Sequence, residues 1–306
     1  VSGLSGTGLP GGVSYDLATD PNNPFTLYTS VVFPSSVGGQ GIYRSNDAGA
    51  TWTKVSNSAI DALIGNNTSN IEISVGTSNN VYVGILNSGN PVGLFRSGDA
   101  GGSWITLDLP VTDENGIDIG LNPRGFKGPT SGTPEQMAGG QGNIHFSIAA
   151  DPTNPFIVYV GGDRQPTSNG DQGSFPNSIG AQDYSGRIFR GDASQPVGYQ
   201  FVHITHRNDM GAEGGGTANN TSPHADSRDM AVDILGNLIE VDDGGIYKRI
   251  LPNSDQGDWV SLIGNLQTTE MHDVAYDSVS NVLMSGNQDT GTTYQTAQGA
   301  TVWKSL

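Results

Sequence analysis

Three side chains that could share a hard cation, His224, Asp226 and Asp229, stand close together in the stretch HADSRDMAVD (224–233). Two more carboxylates, Asp242 and Asp243, follow one strand pair later in EVDDGGIYKR (240–249). Oxygen ligands on glycine-rich loops suit Ca2+, which takes about six to eight of them. A transition metal would want more nitrogen than His224 supplies locally, although His145, His203 and His206 lie elsewhere in the chain. The alternative is that these side chains cap turns and hold one another by hydrogen bonds. No segment has the spacing of an EF-hand or a nonapeptide calcium repeat. The expected metal set is therefore His224, Asp226, Asp229 and Asp243, with calcium the cofactor to test and none required.

The elements that must position these residues are short strands. The 306 residues include 45 glycines and 16 prolines, and charged residues make up 14 %, so turn-formers abound and long helix-formers are scarce. The net charge of -17 repels phosphate backbones and anionic lipid, which argues against nucleic-acid and membrane-surface partners. With no cysteine, disulfides and thiolate chemistry are excluded. No apolar run reaches membrane-spanning length, so no membrane insertion is expected.

Repeats organise the chain. TDPNNPFTLY (19–28) returns as ADPTNPFIVY (150–159), and SNDAGATW (45–52) returns as SGDAGGSW (97–104). In the first pair, Asp can bond amides ahead of it while the prolines stop strand continuation. A third-strand signature recurs as GIYRS, GLFRS, GRIFR and GIYKR, often followed by a tight turn and a strand with Trp. Five four-stranded units emerge over residues 13–55, 71–109, 144–204, 230–262 and 274–306. The expected fold is an all-β propeller of four-stranded blades, one domain over 1–306, with five blades recognised. Six or seven blades, or an incomplete ring, stay open, with residues 111–142 the place for a missed one.

The octapeptide Ser-x-Asp-x-Gly-x-x-Trp resembles the Asp-box, or bacterial neuraminidase repeat, of sialidases, sortilin-type receptors and xyloglucanase-like glycoside hydrolases. The resemblance implies a hairpin between the third and fourth strands of a blade, away from any active site. It gives structural roles to Ser45, Asp47, Gly49 and Trp52 and to Ser97, Asp99, Gly101 and Trp104. HADSRDMAVD, the Asp-Gly-Gly turn and SGNQDTGT (285–292) look like segments of sortilin-like and xyloglucanase-like propellers.

The resemblance brings two chemistries to weigh. Sialidases use an arginine trio, but Arg44, Arg96 and Arg249 occupy the repeated third-strand position and are expected on the blade surface. Xyloglucanase-like enzymes are inverting and need two carboxylates about 6.5–9.5 Å apart. Asp242, first residue of Asp-Asp-Gly-Gly, matches one of them; no second partner is legible, and a hairpin-turn role competes. Long insertions at 161–186 and 211–224 are the expected binding loops, with Phe175 and Tyr184 as stacking aromatics. The favoured expectation is an extracellular or cell-surface module that binds a glycan or a protein through loops. The alternatives are a hydrolase of neutral polysaccharide and a building block of a surface layer that associates with itself or with further domains.

Overall fold

A computed structural model describes residues 7–113, 118–122, 126–127, 135–136, 140–165, 179–181, 184–206, 215–264, 266, 271–288 and 291–306. Among them are five four-stranded antiparallel sheets, each a meander in chain order. The first holds β1 (Leu17–Asp20), β2 (Asn23–Val31), β3 (Gly41–Ser45) and β4 (Thr53–Lys54), and a one-and-a-half-turn helix α1 (Ser58–Leu63) follows. The second holds β5 (Thr68–Val75), β6 (Val81–Asn87), β7 (Asn90–Ser97) and β8 (Ile105–Leu107). Two short ribbons come next, β9 (Thr112–Asp113) with β10 (Asp118–Ile119) and β11 (Phe126–Lys127) with β12 (Glu135–Gln136). The third sheet holds β13 (Ser147–Ala150), β14 (Ile157–Arg164), β15 (Gly186–Asp192) and β16 (Phe201–His203). The fourth holds β17 (Asp229–Val232), β18 (Leu238–Asp242), β19 (Gly245–Arg249) and β20 (Trp259–Ser261). The fifth holds β21 (Met271–Asp277), β22 (Val282–Asn287), β23 (Gly291–Gln295) and β24 (Trp303–Ser305). This is an all-β fold of the propeller class, with the sheets as blades.

The region 111–142, where another blade was conceivable, holds only the two ribbons among its described residues. The Asp-Pro turns close the first hairpin of blades one and three. Asp20 accepts the Asn22 amide at 2.8 Å, and Asp151 accepts the amides of Thr153 and Asn154 at 2.8 and 2.9 Å.

The cores lie between blades. Tyr28, Ile42, Ile71, Val83 and Phe95 pack blade one on blade two, with Ile60 of α1 completing the cluster. Leu94, Phe146, Val160 and Phe189 join blades two and three, and Tyr159, Ile188, Leu238 and Trp259 join three and four. Flat, two-faced sheets can bury their apolar sides only by stacking in this way. The fifth blade differs: every residue of β21 is exposed, including Met271, Val274 and Tyr276.

The repeated third-strand cations are not surface residues as the sequence suggests. Arg44 is half-buried and donates to Ala100 O of the next blade at 2.7 Å; Arg96 does the same to Pro155 O at 3.0 Å. Arg249, one position further along its strand, is wholly buried and ties loops together by donating to Ile204 O, Gly216 O and Ser254 O. Long side chains from a blade edge reach the neighbouring turn more readily than water, which sequence spacing alone does not reveal.

Candidate functional site

Each blade has two ends, and the chemistry divides between them. One end carries the turns joining first to second and third to fourth strands. The two octapeptides are there. In each, the serine hydroxyl donates to the aspartate at 2.8 Å and accepts an amide from the glycine four residues on, at 2.8 Å for Gly49 and 2.7 Å for Gly101. Asp47 accepts from Thr51 N at 2.8 Å and Asp99 from Ser103 N at 2.7 Å. These bonds hold both carboxyls below the usual range, the hydroxyls of Thr51 and Ser103 contributing most. Ala48 and Gly49 lie in succession at φ 56° and 89°, and Ala100 and Gly101 at 58° and 90°, a backbone that glycine adopts freely and alanine only under constraint. Trp104 reaches back to Val55 O of the preceding blade at 2.7 Å, whereas Trp52 folds onto its own turn at Gly49 O, 3.0 Å. The serines, the aspartates and Trp52 are thus bonded within their own turns, and Trp104 to the preceding blade.

The opposite end, where the first strands begin and the long insertions emerge, gathers the titratable groups. His145 precedes β13, Asp163 is near the end of β14, and Asp226 precedes β17. All three are buried, and His145 Nδ1 lies 3.1 Å from Asp163 Oδ1 and 3.1 Å from Asp226 Oδ1. Burial alone would push the imidazole down, but the two aspartates outweigh it and raise it to about 9. Asp226 is held at φ 73°, a left-handed backbone that aims its side chain inward.

Glu240 and Asp242 share one face of β18, two positions apart. Asp242 Oδ1 accepts the amides of Gly244 and Gly245, each at 2.8 Å, inside a two-residue hairpin where Asp242 pairs with Gly245. A side chain at Gly244 would stand 2.4 Å from His224 Cβ, so that turn requires glycine. The buried Glu240 carboxyl and Asp242 Oδ2 make no well-formed hydrogen bond as two carboxylates would stand, the Ser227 hydroxyl nearby giving Glu240 only a weak donor. A proton held between the two carboxyls would pair one oxygen of each. Burial, then the charge of Asp242, holds Glu240 well above the usual range, and burial pushes Asp242 up to about 6. Across the same end, Glu72 of β5 is pushed up to about 7 by burial and then by the charges of Asp16 and Asp229, with the Asn70 amide opposing.

The expected metal set does not converge. His224 stacks on Tyr184, ring centroids 5.7 Å apart, and its Nδ1 sits 3.2 Å from Ala225 O. Asp229 accepts the Met230 amide at 2.8 Å, Asp243 pairs with Arg228 at 2.7 Å, and Asp226 turns to His145. The cluster of three potential ligands among the described residues is His145, Asp163 and Asp226. His145 and Asp163 stand 18 positions apart in sequence and become neighbours only when β13 and β14 pair. Tyr184 lies beside His224 and under Arg164, and Phe175 lies outside the described residues.

A separate groove of about 610 Å3 runs along the outer rim between β8 and β16. Leu109, Val111 and Tyr199 line it, with Asp108 and Asp118 as its acids. Tyr199 is 77 % exposed. Asp108 is fixed by the amides of Gly198 and Gln200 at 2.6 and 3.3 Å.

No family model and no curated protein matches the chain. Solved structures do. A GH74 xyloglucanase from Xanthomonas campestris is 17 % identical, with 94 % of this chain covering 45 % of that one at a TM-score of 0.39. An ancestral GH74 enzyme is 16 % identical over 97 % of this chain and 31 % of its own, TM-score 0.41. PorZ, a surface component of the type-IX secretion system of Porphyromonas gingivalis, is 14 % identical over 95 % of this chain and 34 % of its own, TM-score 0.45. The chain thus spans less than half the length of each of these. No helix among the described residues is long and apolar enough to cross a membrane.

Proposed function

We propose that the chain is a recognition module of an extracellular or cell-surface protein, a rigid set of blades that binds a neutral glycan or a protein segment and performs no chemistry on it. The observation that carries this reading is the state of Asp242. Its Oδ1 is consumed by two hairpin amides, and its carboxyl neighbour Glu240 lies buried on the same strand. Inverting hydrolysis needs two acids facing each other across a water-filled gap, one protonated and one free to activate water. The acidic, turn-rich composition and the resemblance to sortilin-type propellers support the surface setting.

The rim groove is the binding place we favour. Tyr199 offers an exposed ring for stacking, Leu109 and Val111 an apolar floor, and Asp118 an acceptor for hydroxyl or amide donors. Titration calorimetry with neutral β-glucan and xyloglucan oligosaccharides, alongside a panel of extended peptides, tests it. Saturable binding that Tyr199→Ala weakens tenfold or more supports the module; binding unaffected by that change moves the site elsewhere.

A second reading rests on the raised Asp242 carboxyl, since a protonated acid near pH 6 is what a glycosidase uses to protonate its leaving group. Release of reducing sugar from xyloglucan by the wild type, abolished in Asp242→Asn, would establish it.

A further inference from the structure

We propose that His145, Asp163 and Asp226 form a binding site for a first-row divalent transition-metal ion, Mn2+ or Zn2+, that pins the third blade to the fourth. The three donors come from separate places: the turn before β13, the end of β14, and the loop entering β17. Three features argue for an ion at their centre.

The first is spacing. Donors about 2.1 Å from a common ion, at angles near 90°, stand about 3 Å from one another. Nδ1 of His145 is 3.1 Å from each aspartate oxygen, and the three donor atoms all lie within 4.8 Å of one another. The second is charge. Asp163 and Asp226 bring two carboxylates into a region almost without solvent, where charge is kept only beside a close counter-charge. A divalent ion between them would bring two positive charges to that pair of carboxylates. The third is an orphaned acceptor. Asp163 is 0 % exposed, and its Oδ2 has no hydrogen-bond partner. Buried carboxylate oxygens are seldom left so, and a ligating carboxylate that shifts toward two-oxygen coordination would use it.

The donor chemistry selects the ion. One nitrogen and two carboxylates suit the borderline first-row metals, whereas calcium prefers an all-oxygen shell of higher number. The burial of all three donors points to a structural role, since catalytic ions keep an open position toward substrate.

The full chain, stripped with EDTA and dialysed, is titrated with MnCl2 and with ZnCl2 by calorimetry, and its thermal unfolding is followed with and without each metal. The expected result is one equivalent bound per chain and a Tm raised by several degrees, because an ion bound only by the folded state stabilises it. Asp163→Asn and His145→Gln should lose both effects. No binding, or equal binding by the variants, overturns the site and leaves an imidazolium held by two aspartates. Should the variants not fold, anomalous diffraction from metal-soaked wild-type crystals decides it: a peak between His145 and Asp163 supports the site, and a peak elsewhere or none overturns it.

Discussion

The hydroxyl of Tyr82 and the guanidinium of Arg96, directly opposite each other on β6 and β7, converge on one carbonyl of the next blade, Pro155 O, at 2.9 and 3.0 Å. The arrangement repeats. Tyr28 and Arg44 converge on Ala100 O at 3.4 and 2.7 Å, and Tyr159 and Arg190 reach the adjoining Asn253 and Pro252 at 2.8 and 3.4 Å. In each case a second-strand tyrosine and a third-strand arginine fasten one blade to a turn of its successor. Arg96 also lies over the Phe156 ring, 4.6 Å from its centroid.

If these pairs fasten blades, their loss should be felt across the interface. Tyr82→Phe removes one part-buried hydrogen bond and should cost about 1 kcal/mol. Arg96→Ala, on a partly exposed group, should cost of the same order through lost packing on Phe156 as well as the lost bond. A double-mutant cycle by urea unfolding should return a coupling of about 0.5–1 kcal/mol, since both donors share one acceptor. Strict additivity would mean the two act independently.

The octapeptide turns depend more on serine than on exposed aspartate. Ser97 is buried and bonds both the Gly101 amide and Asp99. Ser97→Ala should destabilise by about 1–2 kcal/mol, read as a lower denaturation midpoint with unchanged slope. The carboxyls of Asp47 and Asp99 titrate low in the folded protein, so their contribution is present above the unfolded value of 3.8 and fades as pH falls through the folded one. Melting curves below pH 4 should show Asp99→Asn converging on the wild type.

Glu72 gives the opposite pH dependence. Its folded value of about 7 exceeds the ordinary 4.5, so the folded state binds the extra proton between those limits. This group's contribution is full below pH 4.5 and declines as pH rises through 7. Glu72→Gln should therefore gain stability relative to wild type on going from pH 5 to pH 8. A gap in Tm that does not widen would show that burial does not hold the extra proton on Glu72.

Glu240 is expected to behave as a neutral acid. Glu240→Gln keeps the shape and a donor toward Asp242, and should melt within a degree or two of wild type at pH 7. Glu240→Ala leaves a hole in a closed space and should cost roughly 2–5 kcal/mol. Equal, severe losses in both variants would mean that the carboxylate charge itself is required.

The fold was largely legible because it is written in local units. Alternating apolar strands, Asp-Pro turns and the repeated octapeptides each specify a hairpin within a few residues, and stacking such hairpins leaves few architectures. The candidate site was not, for a physical reason. His145, Asp163 and Asp226 are spread over more than seventy positions and meet only through the pairing of β13 with β14 and the packing of blade four on blade three. The nearness of His224, Asp226 and Asp229 in sequence misled because successive strand and loop positions point in different directions. The third-strand arginines misled in the same manner, since a cation at a regular position looks like a solvated face until its neighbour is in place.

The tyrosine–arginine fastening stops at the fourth blade, where Ile239 and Lys248 occupy the paired positions on β18 and β19. Beyond that seam, β21 lies wholly exposed and, among the described residues, none of the fifth blade joins the three cores. The chain should consequently not melt as one body. Blades one to four form a cooperative block, and the fifth opens on its own at a lower free energy. Under tension or dilute denaturant it is the segment to let go first, and its amides should exchange with deuterium well before those of β6 and β14.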